Sequence, residues 1–81
     1  MTPAEVRAAF QAHLVDVAPD LDPATINDDD HLQEDLGLDS MDFLNLVAAL
    51  HKEFGLPIPE ADYPRLATPA KAVSYLCEML G

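Results

Sequence analysis

"SMDFLNLVAALHKEFG", residues 40–55, is the stretch whose reading decides the fold. Phe43, Leu46, Val47, Leu50 and Phe54 recur at helical spacing and form one continuous apolar stripe over residues 40–54. Leu44 and Ala48 are expected to widen that stripe into the broad face of a core-facing helix. Gly55 suits a left-handed C-terminal cap, and Pro57 and Pro59 stop any extension. At the other end, Asp39 or Ser40 can cap the helix, since either side-chain oxygen can accept from its free backbone N–H groups. Asp39 and Asp42 also suit the positive end of the helix dipole.

Upstream of this helix, Pro19 to Asp39 reads as a long connection. Pro19, Asp20, Asp22, Pro23, Asn27 and the run Asp28-Asp29-Asp30 are turn formers and helix breakers. Leu21, Ile26, Leu32, Leu36 and Leu38 are scattered through it, which predicts a loop packed onto the core. Before the loop, Thr2, Pro3 and Glu5 form a capping-box start. Val6, Ala9, Phe10, Leu14 and Val17 then line one helix face until Pro19 closes the segment. Downstream, "PEADYPRL" is expected to form at most a short helical turn because Pro64 interrupts it. Thr68 and Pro69 repeat the cap-and-proline start, and Val73, Leu76, Cys77 and Leu80 line a last helix. No segment alternates as a strand would. The expectation is an all-α bundle of four helices, three main and one short, in one domain spanning residues 1–81.

Composition narrows the function. The 81 residues carry four basic and fifteen acidic side chains, a formal net charge of −11. Nucleic acid and anionic lipid surfaces repel such a chain, whereas proteins with basic docking patches attract it. No apolar run reaches the ~20 residues of a membrane span, and no signal-peptide pattern opens the chain. Cys77 is the only cysteine, so an internal disulfide and a multi-cysteine zinc site are excluded, which fits a reducing, cytoplasmic setting. Met1 and the absence of flanking linkers predict a discrete protein, working as a monomer. Asp28-Asp29-Asp30 lacks the EF-hand pattern, so no metal site is expected. Cys77 is expected to be a buried small hydrophobe, and His13, His31 and His51 to be surface residues.

Ser40 is the residue with most to explain. As a nucleophile it fails, because the elbow motif needs glycines where Leu38 and Asp42 stand. No other catalytic constellation is visible. As an attachment point it is well placed, since an anionic ester at a helix start meets unpaired N–H groups and the positive dipole end.

The stretch "DLGLDSMDFLNLVAALHKEFGLPIPEADY", Asp35 to Tyr63, resembles the central region of acyl carrier proteins, with their "DLG-x-DS-[LM]" signature. Upstream "ATINDDDHLQEDLG" and downstream "LATPAKAVSYL" resemble the same family, so the likeness covers nearly the whole chain. The resemblance implies a non-enzymatic carrier of four-helix fold. Ser40 would receive a covalent 4′-phosphopantetheine arm from coenzyme A, through a phosphopantetheinyl transferase assisted by Mg²⁺. Asp39 and Met41 would flank the arm. Asp35, Gly37, Asp42, Asn45 and Glu53 would be read by partners, including acyl-loading and condensing enzymes. Phe43, Leu46, Val47, Leu50, Ile58 and Leu76 would line an acyl pocket or simply form core.

The chain departs from the family where Asn45, His51 and Lys52 replace the usual glutamates of the second helix. Acid is concentrated in the loop instead, at Asp28, Asp29, Asp30, Glu34, Asp35 and Asp39. That departure predicts a specialised carrier with a dedicated pathway, in fatty-acid, polyketide or related biosynthesis. Two alternatives stay open: an aminoacyl or peptidyl carrier, and a non-carrying acidic docking subunit in which Ser40 is only a helix cap.

Overall fold

The computed structural model describes residues 2–81, and Met1 lies outside the described residues. Three α-helices form: α1 (Pro3–Val17), α2 (Ser40–Phe54) and α3 (Pro69–Leu80). Two 3₁₀ segments, Pro23–Thr25 and Glu60–Leu66, complete the order, and no strand occurs among the described residues. The four-helix all-α expectation therefore holds, with an additional 3₁₀ turn in the long loop.

The helix starts follow the sequence signals. Glu5 N–H donates to Thr2 Oγ1 at 3.2 Å and Thr2 N–H donates to Glu5 Oε1 at 2.9 Å, a complete capping box. Those bonds favour the charged carboxylate and hold Glu5 below the usual glutamate pKa. Thr68 Oγ1 accepts from Lys71 N–H at 3.2 Å to start α3. α2 stops at Gly55, whose φ of 65° is left-handed and whose N–H bonds to His51 O at 2.8 Å.

α1 buries Val6, Phe10 and Leu14 against α2, which contributes Leu46, Val47 and Leu50, and against α3, which contributes Ala72, Val73, Tyr75 and Leu76. Leu32, Leu38 and Leu66 close the same cluster from the connections. Leu21, Ile26 and Leu36 pack on it half-buried, so the long loop is a wall of the core. Main-chain bonds fix that wall: Leu32 N–H reaches Ala67 O at 2.9 Å, and Ala70 N–H reaches Asp28 O at 3.0 Å. Arg7 pairs with Asp28, tying the loop to α1 as well.

Four details differ from the sequence reading. Leu44 and Ala48 are exposed, because the core meets α2 on the Leu46–Leu50 side. Leu80 is exposed where α3 outruns the bundle, and Cys77 is half-buried at the edge of the core. His13 and His31 are half-buried, whereas His51 is exposed. Pro64 does not break the short helix, since its fixed φ suits a 3₁₀ turn and the segment runs on to Leu66.

The 3₁₀ segment is held to α3 by Tyr75, which sequence periodicity had not singled out. Tyr75 is buried, and its hydroxyl donates to Asp62 Oδ2 at 2.7 Å. Arg65 lies 4.8 Å over the Tyr75 ring and pairs with Glu78. Burial and the Asp62 carboxylate beside it push the Tyr75 hydroxyl above the ordinary tyrosine pKa.

Candidate functional site

The turn before α2 sets the site. Residues 31–38 fold into a compact knot in which His31 N–H donates to Asp35 Oδ2 at 2.7 Å and Asp35 N–H donates to His31 O at 2.8 Å. Glu34 N–H donates to His31 Nδ1 at 3.3 Å. Leu38 N–H returns to Leu32 O at 3.1 Å, and both leucines are buried anchors. Gly37, with φ 77°, supplies the left-handed residue that lets the chain turn between them.

The chain leaves this knot at Asp39, in extended conformation, and Asp39 is the helix cap. Its Oδ1 accepts from Asp42 N–H at 2.7 Å. Ser40 is thus the first helical residue, exposed, and the capping task belongs to its neighbour. The two cap candidates that the sequence left open are resolved in favour of Asp39. Met41 is 65% exposed and Leu44 46% exposed, so apolar surface borders Ser40 on the solvent side.

Beside Ser40 opens a cavity of about 580 Å³ between the loop, α2, the 3₁₀ segment and the start of α3. Phe43 and Tyr63 form its apolar wall, with ring centroids 5.6 Å apart and planes at 70°. His31, Gln33, Glu60 and Lys71 supply polar lining. Of the residues proposed for an acyl pocket, Phe43 lines this cavity. Leu46, Val47, Leu50 and Leu76 sit in the closed core, and Ile58 is half-buried at its edge. Asp35, Gly37, Asp39, Met41 and Asp42 cluster around Ser40 in sequence, with Asn45 exposed one turn further along α2. Glu53 stands ~20 Å away along the helix, where its Oε1 lies 3.2 Å from His13 Nε2.

Sequence reasoning missed Tyr63, Leu44, His31 and Lys71 as lining. A signal for Lys71 existed, because a lysine in the first turn of a helix opposes the dipole. Tyr63 had none, since its neighbours form no helical or strand pattern.

Chemically, the site presents an exposed primary hydroxyl at a helix start, next to a cavity holding a lysine and a histidine. That donor set fits a tethered, anionic phosphodiester. It does not resemble a metal centre, and among the described residues no group of His, Cys, Asp and Glu is placed to hold a metal ion. Among the described residues no helix is long and apolar enough to cross a membrane.

Comparison with known proteins agrees with this chemistry. Residues 7–76 match the family model for the phosphopantetheine attachment site. The acyl carrier protein AcpXL of Rhizobium etli is 46% identical over 48 residues, covering 59% of this chain and 52% of the relative. AcpXL of Rhizobium meliloti is 44% identical over 56 residues, covering 67% and 59%. The mitochondrial acyl carrier protein of Neurospora crassa is 40% identical over 55 residues, covering 68% and 41%. The chain thus spans about half the length of the curated relatives it matches. In structure it is similar to the acyl carrier protein from Enterococcus faecalis, with a TM-score of 0.76 and 27% identity over 98% of this chain and 99% of that one. Proteins of this kind hold a covalent 4′-phosphopantetheine and act as carriers for biosynthetic enzymes, with no catalysis of their own. An exposed serine at a helix start, a loop-walled bundle and a match across residues 7–76 converge, and the chain belongs to the acyl carrier protein family.

Proposed function

We propose that residues 1–81 form a single carrier domain in which Ser40 bears the 4′-phosphopantetheine arm, received from coenzyme A through a phosphopantetheinyl transferase. The observation that carries this reading is the division of labour at the start of α2. Asp39 caps the helix, so the exposed Ser40 hydroxyl is left available, which supports a carrier over a docking subunit in which Ser40 is only the cap. The attached group supplies a flexible tether ending in a thiol, on which an acyl cargo is held as a thioester.

The chain's own residues do the rest. Asp39 and the Gly37 turn fix the angle at which Ser40 leaves the surface. Met41 and Leu44 offer apolar contact to an incoming enzyme, and Asp35, Asp42 and Asn45 give that contact its polar rim. Glu53 lies too far from Ser40 to share that patch and serves a second point of contact. Phe43 and Tyr63 wall the cavity into which cargo nearest the arm can fold, while Leu46, Val47, Leu50 and Leu76 hold the bundle together. A reducing, cytoplasmic setting suits a thiol-bearing arm and the free Cys77. The monomer delivers its cargo to acyl-loading and condensing enzymes of a dedicated pathway, because Asn45, His51 and Lys52 dilute the acidity of the exposed α2 face.

Incubation with coenzyme A, Mg²⁺ and a broad-specificity transferase, followed by intact mass, tests the attachment. The expected result is the added mass of one phosphopantetheinyl group, absent in Ser40→Ala. No adduct with several such transferases overturns the proposal. Equal acceptance of the loaded protein by housekeeping ketosynthase and malonyl transferase would overturn its dedicated-pathway part.

A further inference from the structure

We propose that Lys71 is a positioning residue whose ammonium holds the phosphodiester of the Ser40-borne arm against the cavity, which keeps the unengaged arm close to the bundle. The inference rests on the reading of Ser40 as the attachment point. Four side chains are basic in this chain of net charge −11. Arg7 is engaged by Asp28, and Arg65 by Glu78 and the Tyr75 ring. Lys52 and Lys71 make no ion pair among the described residues. Lys52 stands toward the C-terminal end of α2, ~18 Å along the helix from Ser40. Lys71 instead lines the same cavity as Ser40.

Its position also runs against local preference. Lys71 is the third residue of α3, where the dipole disfavours a cation and where glutamate would complete a capping box with Thr68. An anion delivered to the cavity removes that conflict. The other charged residues near Ser40, which are Glu60 in the cavity lining and Asp35, Asp39 and Asp42 in sequence, are all acidic, so Lys71 is the fixed positive charge a phosphodiester would meet. His31 lines the same cavity, and because its Nδ1 accepts from Glu34 N–H its Nε2–H is left as a second donor. Glu60, across the cavity, is the rival partner for the ammonium.

The test uses the loaded protein, driven to completion with excess transferase and verified by intact mass. ³¹P relaxation of the phosphodiester then reports how tightly the arm is held. In wild type, raising NaCl from about 0.05 M to about 0.5 M is expected to free the phosphate, as screening of an exposed pair requires. Lys71→Gln at low salt should lower the held-to-free ratio about two- to fivefold, the range for exposed ion pairs. Lys71→Arg should restore holding, and Lys52→Gln should leave it unchanged. Lys71→Gln relaxing like wild type, or Lys52→Gln lowering the ratio equally, overturns the proposal. Failure to form any Ser40 adduct would instead strike the attachment reading itself, before any relaxation is measured.

Discussion

The two sides of α2 have opposite fates. Toward α1 and α3, Leu46, Val47 and Leu50 are sealed into a core that also holds Phe10, Leu14, Tyr75 and Leu76. At its N-terminal end, Ser40, Met41 and Leu44 remain exposed beside an open cavity. Both sides contain leucines and both are helical, yet one closes the core and the other presents the proposed attachment serine. The difference teaches that the two tasks are separable here, because no residue of the Ser40 surface is needed to close the core.

That separation can be broken by experiment. Phe10→Ala removes a fully buried ring and should cost about 3–5 kcal/mol in urea unfolding. A loss under about 1 kcal/mol would mean that the core is not where stability resides. Asp39→Ala should cost about 1 kcal/mol through the lost cap, whereas Ser40→Ala should fall within about 0.5 kcal/mol while abolishing the mass adduct. Equal losses from the two would show that Ser40 shares the capping task.

Tyr75→Phe should cost about 1 kcal/mol by removing the hydroxyl bond to Asp62. It also has a pH signature. The folded state holds the Tyr75 proton above the ordinary tyrosine value, so near pH 10 the unfolded chain releases it first. Stability then falls as pH rises through that range, and Tyr75→Phe should fall less steeply over the same interval. Smallest of all, Leu44→Ala should leave the unfolding midpoint almost unchanged, within about 0.5 kcal/mol. A larger loss would place Leu44 in the core after all.

Much of this arrangement is legible in the sequence, for identifiable reasons. Thr2-Pro3, Thr68-Pro69 and Gly55 announce helix boundaries through local chemistry that tertiary structure did not override. The scattered leucines of the loop announce its packing. What stayed hidden depended on neighbours distant in sequence. Which edge of the α2 stripe faces the core is decided by where α1 and α3 lie, so helical spacing alone places Leu44 and Ala48 on the wrong side. Asp39 and Ser40 are one residue apart and both can cap, so only backbone geometry separates them. Tyr75 depends on Asp62 in another segment, and the cavity exists only once the loop, the 3₁₀ segment and α3 are assembled.

The two main-chain bonds between the loop and the α3 junction bear on how the cavity can enlarge. Leu32 to Ala67 and Asp28 to Ala70 act as rivets along one seam, independent of any side chain. The opposite seam is closed by side chains alone, Tyr75 with Asp62 and Arg65 with Glu78. A bulky occupant therefore meets a hinged wall and a fixed one. Such an occupant is expected to open the bundle at the side-chain seam, with the 3₁₀ segment moving further than the loop.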